Sequence, residues 1–181
     1  MILIELTGPA EEPVTLTEAK DWARIERSDE DALIGRLISA ARETVESQTG
    51  LVLGVRSFRL VAGSVPENGR IAVGRRPVIE VTGATAYDRA GEPSGIEPGS
   101  VAIVGAEVLA FAPGFRPAGG VEIELTAGLA AGAVPQSVKL AMLRIVAASY
   151  ETRGLVGPDM QPALMPPLAK ALLSPYRPVR L

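Results

Sequence analysis

The stretch Ser28-Asp29-Glu30-Asp31-Ala32-Leu33-Ile34-Gly35-Arg36-Leu37-Ile38-Ser39-Ala40-Ala41-Arg42-Glu43-Thr44-Val45-Glu46-Ser47-Gln48-Thr49-Gly50 carries an unbroken helical period. Leu33, Ile34, Leu37, Ile38, Ala41 and Val45 recur three and four apart and form one apolar stripe. Arg36, Arg42, Glu43 and Glu46 fall on the other face. Asp29, Glu30 and Asp31 crowd the first turn after a start at Ser28, where negative charge complements the helix dipole. Gly50 stands where the chain must turn left-handed to leave a helix. The spacing predicts a helix of about 20 residues, roughly 30 Å long.

Just upstream, Thr15 and Glu18 have capping-box spacing, and Val14 can pack against Ala19 as a hydrophobic staple. A short helix from Leu16 to Ile25 follows, with Trp22 and Ile25 among its inward residues.

Downstream the character changes. From Leu53 to Gly132, glycine and proline punctuate short β-rich apolar segments. Strands are expected at Ser57–Val61, Val78–Tyr87, Ser100–Val104, Glu107–Phe111 and Val121–Thr126. Gly105-Ala106 fits a two-residue hairpin turn with glycine first. Asp88–Gly91 and Pro113-Gly114 mark further turns. Val121-Glu122-Ile123-Glu124-Leu125 alternates strictly, so one face is buried and the other wet. Tight turns between short strands imply an antiparallel meander, and no β-α-β alternation points to a nucleotide fold.

Helix returns after Pro135, a first-turn proline, and Gly154 should end it. Val138, Leu140, Ala141, Met142, Leu143, Ile145, Val146, Ala147 and Ala148 leave few polar positions. A helix this apolar must be covered on most sides, as the central helix, as half of a subunit interface, or as both. Pro158, Pro162, Pro166 and Pro167 interrupt the chain before a short helix at Leu168–Leu173. Two prolines keep Ser174–Leu181 out of regular helix, which suggests an extended strap. The expected fold class is α+β. It is a bundle of about four helices (residues 15–50, 135–153 and 167–173) with an antiparallel β-meander inserted at 53–132 and an extended C-terminal strap at 174–181. One domain spans 1–181.

Composition narrows the function. The 181-residue chain has no histidine and no cysteine, so the commonest general base, the commonest transition-metal ligand and any disulfide are absent. A net charge of −3 disfavours bulk electrostatic binding of nucleic acid. The apolar runs are too short to span a bilayer, and Glu5 interrupts the N-terminus too early for a signal peptide. A cytoplasmic product is expected.

Candidate chemistry is sparse. Gly69-Arg70-Ile71-Ala72-Val73-Gly74-Arg75-Arg76 lacks the Gly-Lys-Ser/Thr ending of a phosphate loop, and no helix follows it. A solvated turn before a strand explains it better. Asp29, Glu30 and Asp31 already have a reason to sit at a helix start. Ser137, Ser149 and Ser174 have no histidine base, and Lys139 lies two positions from Ser137, off its face. No catalytic residue, cofactor site or metal site is assigned, and no enzyme is expected.

Assembly surface is what remains. Tyr176 and Arg177 with Arg180 are residue types enriched at interface hot spots, on a strap able to lie in a partner's groove.

Taken in order, several segments resemble phage head–tail connector (adaptor) proteins. They are Pro13-Val14-Thr15-Leu16-Thr17-Glu18-Ala19-Lys20, Asp29-Glu30-Asp31-Ala32-Leu33-Ile34, Ala40-Ala41 and Thr49-Gly50. Arg76-Pro77-Val78, Tyr87-Asp88 and Gly91 continue the likeness. So do Thr126-Ala127-Gly128, Val134-Pro135 and Tyr150-Glu151-Thr152-Arg153. The stretches Gly91–Gly99 and Gly154–Pro167 match no pattern of the family. The resemblance implies a non-enzymatic subunit of a homo-oligomeric ring, a dodecamer, in the neck of a phage, prophage or gene transfer agent particle. Its partners would be the portal above and a stopper or tail-terminator below, with double-stranded DNA only as non-specific cargo in the lumen. On that reading Tyr176, Arg177, Val179, Arg180 and Leu181 meet the portal. Leu140, Leu143, Val146, Ala147 and Tyr150 form the subunit interface, and carboxylates line the channel. Other readings are a different neck protein, or a small ligand-binding module or hydrolase.

Overall fold

The computed structural model describes residues 1–152 and 165–178. Its chain divides into two compact units, one of Met1–Ala10 with Val55–Leu129, the other of Glu11–Gly54 with Ala130–Leu181.

The second unit is helical, with α1 at Leu16–Ala23, α2 at Asp31–Thr49, α3 at Gln136–Thr152 and α4 at Pro167–Leu173. Thr15 and Glu18 make the expected reciprocal capping box. The Glu18 amide donates to the Thr15 hydroxyl at 3.1 Å, and the Thr15 amide donates to the Glu18 carboxylate at 2.7 Å. Val14 and Ala19 are both buried beside it, as a staple requires. Helix α1 ends at Ala23, two residues short of Ile25, with Arg24 in the left-handed region as its cap. Trp22, expected inward, is 43% exposed. Its indole is covered by the Arg144 guanidinium, 5.8 Å from the ring centroid, instead of by aliphatic core.

Helix α2 starts at Asp31, later than expected, because residues 28–31 close a turn in which the Asp31 amide donates to the Ser28 carbonyl. It ends at Gly50, φ 71°, whose amide donates to the Glu46 carbonyl. Ile34, Ile38, Ala41 and Val45 are buried as the stripe predicts. Arg42 and Glu46, expected in solvent, are buried too. Arg42 reaches Glu12 at 3.0 Å and Glu46 at 3.4 Å, and Glu46 accepts the Leu53 amide at 2.7 Å. A buried guanidinium is tolerated because carboxylates on both sides replace its water.

Helix α3 packs on α1, α2 and α4, which bears out its central place in this unit. Val138, Ala141, Met142, Ile145 and Val146 are its buried residues. Arg153, Gly154, Pro158 and Pro162 lie outside the described residues.

The first unit is β, with β1 at Ile2–Glu5, β2 at Arg56–Ala62, β3 at Arg70–Ala72, β4 at Val78–Tyr87, β5 at Pro93–Gly95, β6 at Ala102–Val104, β7 at Val108–Ala110 and β8 at Gly120–Ala127. Five strands form one sheet in the order β1-β2-β8-β4-β5, and three form another, β3-β7-β6. All pairings are antiparallel, as expected. The path is not a plain meander, because β8 inserts between β2 and β4. Its alternation places Val121, Ile123 and Leu125 in the core opposite Leu60 and Phe58. Each such burial is worth about 1.5–3 kcal/mol.

The β6–β7 hairpin exists, but Val104 pairs with Val108, so its loop is the three residues from Gly105 to Glu107 and not two. Asp88 holds the β4–β5 turn by accepting the Ala90 and Glu92 amides at 2.7 and 2.9 Å. Gly120 opens β8 with φ 91°, and a Cβ there would lie 2.2 Å from the Ala62 carbonyl oxygen. The segment from Gly69 to Arg76, expected to be a solvated turn before a strand, instead carries a strand of its own at Arg70–Ala72, with Ile71 buried and paired to β7. The short strands β1, β3 and β5 were not anticipated.

Candidate assembly surfaces

Helix α3 presents two kinds of face. Of the residues assigned to a subunit interface, Val146 is buried inside its own unit, whereas Leu140, Leu143, Ala147 and Tyr150 are half-buried on the outer side. Spacing of three and four aligns these four along one strip. Arg144, also on α3, holds Trp22 against this side. The Tyr150 hydroxyl donates to the Glu30 carboxylate and accepts from Arg27 at 3.1 Å, and Arg27 also donates to Glu30 at 2.5 Å. These bonds, Tyr150 first, raise the Arg27 pKa above its ordinary value.

The carboxylates at the start of α2 are each engaged. Glu30 meets Arg27, Asp31 meets Lys20 at 2.6 Å, and Asp29 lies 3.8 Å from Arg27. That is a structural role, not a ligand set. Among the described residues no group of three His, Cys, Asp or Glu is placed to hold a metal.

Past α4, Ser174–Tyr176 makes one 3-10 turn in place of an extended run, a short form that accommodates proline. Two of the proposed portal contacts are tied to their own unit. The Tyr176 and Ser137 hydroxyls are 2.9 Å apart, and Arg177 donates to Gln48 at 2.5 Å. Val179, Arg180 and Leu181 lie outside the described residues. The structure thus brings Tyr176 and Arg177 onto α3 and α2, and anchors the start of the strap there.

A cleft of about 620 Å³ in the helical unit is lined by Glu11, Glu12, Val14, Gly35, Ile38 and Lys139 among others. Two of its carboxylates are already occupied. Glu12 takes Arg42 and the Ser39 hydroxyl, and Glu18 closes the capping box, whose hydrogen bonds from Thr15 hold its carboxyl below the usual range. No nucleophile–base pair converges in it.

The outer face of the five-stranded sheet is ionic at its centre. Arg59 bridges Glu122 at 3.2 Å and Glu124 at 2.6 Å, and bonds to Glu124 keep its pKa raised. Toward the β1 edge the same face turns aliphatic.

Residues 13–93 match the model of the phage gp6-like head-tail connector protein family. The resemblance to head–tail connectors is borne out. Likeness to solved structures extends over the whole chain. A chain from the virion of a native gene transfer agent particle superposes with a TM-score of 0.82 at 28% identity, covering 100% of this chain and 97% of that one. A chain from the neck of an empty gene transfer agent particle, computed with C6 symmetry, gives 0.79 at 26% identity with the same coverage. One from the neck of a native particle, computed with C12 symmetry, gives 0.78 at 25%, again covering 100% and 97%. No curated protein sequence matches. No described helix is long and apolar enough to cross a membrane.

The connector segment spans α1, α2, and strands β2 to β4, ending at the start of β5. Sequence reasoning missed two elements of these surfaces. Strand β1 is only four residues long, too short to show an alternation. The Tyr150–Arg27–Glu30 cluster joins residues more than a hundred positions apart.

Proposed function

We propose that this chain is a structural head–tail adaptor, a non-enzymatic ring subunit in the neck of a tailed-phage-like particle. The observation that carries the reading is full-length likeness, in both directions, to a chain of a gene transfer agent virion and to chains of its neck. The connector family match over residues 13–93 supports it independently.

A ring of identical copies, twelve in the fullest form, sits between the portal and the next neck or tail component. The outer strip of α3 at Leu140, Leu143, Ala147 and Tyr150 faces a neighbouring copy. Half-buried aliphatics beside a Trp–Arg pair and a tyrosine make a surface of hot-spot composition. The strap beyond Tyr176 reaches the portal through Arg177, Val179, Arg180 and Leu181, with Tyr176 as its anchor on the subunit. A mildly acidic subunit suits a conduit, since like charge keeps the duplex from sticking to the lumen. Its place is the cytoplasm during assembly and the particle neck thereafter.

Removing residues 179–181 tests the portal contact without touching the Tyr176–Ser137 or Arg177–Gln48 bonds. Capture of this variant by immobilised portal should fall about tenfold, equivalent to about 1.4 kcal/mol, with an unchanged melting temperature. Undiminished capture rules out the strap as the portal contact. Particles that lack the chain altogether should carry DNA-filled heads without tails; tailed, transfer-competent particles would refute the adaptor role.

A further inference from the structure

The two sheets of the β unit leave four free edges, β1 and β5 on the larger and β3 and β6 on the smaller. Free edges offer unpaired backbone groups to any extended chain, and proteins guard them with charge, proline or short length; β3, β5 and β6 are three residues each, so charge and proline are what separate these edges. Two of the four are guarded. Exposed Arg70 stands on β3, and Pro93, which has no amide to donate, begins β5 directly after Glu92.

The other two edges are open. The Leu6 amide donates to the Ser57 carbonyl, so by alternation the backbone groups of Leu3 and Glu5 turn outward from β1. Glu5 does not protect this edge, because its carboxylate is held by the buried Arg56 at 3.0 Å on the inner side. On the outer side Ile2, Ile4 and Leu6 are 64%, 45% and 43% exposed. The β6 edge likewise carries neither charge nor proline, and Ala102 and Val104 are exposed along it.

A closed ring of identical copies requires two different, complementary surfaces on each copy. Resting on the ring reading above, we infer that β1 of one copy pairs with β6 of the next. That pairing closes the two unguarded edges against each other. It joins backbone groups left over on each strand, and it sets Ile2 and Ile4 of one copy against Ala102 and Val104 of its neighbour. An isologous β1–β1 contact satisfies the same groups but makes only dimers.

Two variants of the full chain test this. Ile2→Lys combined with Ile4→Lys installs a guard on the outer side while leaving the β1–β2 pairing and the Glu5–Arg56 bridge intact. Its melting temperature should stay within a few degrees of wild type. Its ring fraction, measured by mass photometry on the portal, should drop about tenfold or more, as expected for charge placed in an apolar contact. The chain has no cysteine, so introduced thiols are unique. Ile4→Cys with Val104→Cys in one chain, treated with a short bis-maleimide after assembly, should give a ladder of oligomers.

Rings formed equally by wild type and the lysine variant overturn the edge pairing and leave the neck reading standing. Cross-linked dimers from Ile4→Cys alone overturn it in favour of the isologous contact. A wild-type chain that forms no ring on the portal overturns both.

Discussion

The helical unit and the β unit are stabilised at different ranges along the chain. In the helical unit the defining contacts begin locally. Thr15 caps through Glu18, three residues away, and Arg42 pairs with Glu46, four away. In the β unit Ile2 pairs with Val61, and Phe58 with Leu125. A lost helix contact therefore weakens one turn or one buried pair. A lost contact on β8 weakens both strands that flank it. The difference teaches where the chain concentrates risk: the sheet depends on its central strand, whereas the bundle spreads its load.

Substitutions can sharpen or break that contrast. Leu125→Ala, at a fully buried site on the central strand, should cost about 3–4 kcal/mol in denaturant unfolding. A loss near 1 kcal/mol would mean the sheet shares its load as the bundle does. Arg42→Ala should cost about 3 kcal/mol, since it strands Glu12 and Glu46 beside buried surface. Arg42→Met should recover only the packing part of that loss, because Glu46 stays buried without its guanidinium; full recovery would make the charge dispensable.

The smallest effect is Thr15→Ala, about 1 kcal/mol from the lost cap. Its pH signature has a definite sign. Hydrogen bonds from Thr15 depress the Glu18 pKa below the ordinary carboxylate value of about 4.3. The stabilisation is therefore present above about that pH and lost as pH falls through the lower folded value. The gap between wild type and Thr15→Ala should narrow on acidification without closing, because the variant keeps the Thr15 amide bond to Glu18 and loses the Glu18 amide's hydroxyl partner at any pH; a constant gap would remove the Thr15 hydroxyl–Glu18 carboxylate bond from the cap.

These ranges also explain what was legible in the sequence. The helices, the long strands and the Asp88 turn each carry a period or a turn residue within a few positions, and they lie where the pattern puts them. Burial of Arg42 and Glu46 was not legible, because the partner that decides it, Glu12, belongs to a segment with no period of its own. Trp22 misled for a related reason. Its position matches the inward face of α1, but α1 ends one residue later and Arg144 from α3 covers the ring. The strands β1, β3 and β5 are too short to show alternation and exist only because a longer strand stands beside them. Of the assembly surfaces, the α3 strip was visible as excess apolar character. The β1 edge emerges only once the pairing order is known.

The division of the chain into Met1–Ala10 with Val55–Leu129, and Glu11–Gly54 with Ala130 onward, has a consequence for synthesis. As the polypeptide leaves the ribosome, the earliest residues must wait for β2, and β2 must wait for β8 near position 120. The first two helices meanwhile emerge without α3, which is translated later still. The β unit is complete once Leu129 has emerged, whereas the helical unit still waits for α3 and α4, so the sheet can close before the bundle does.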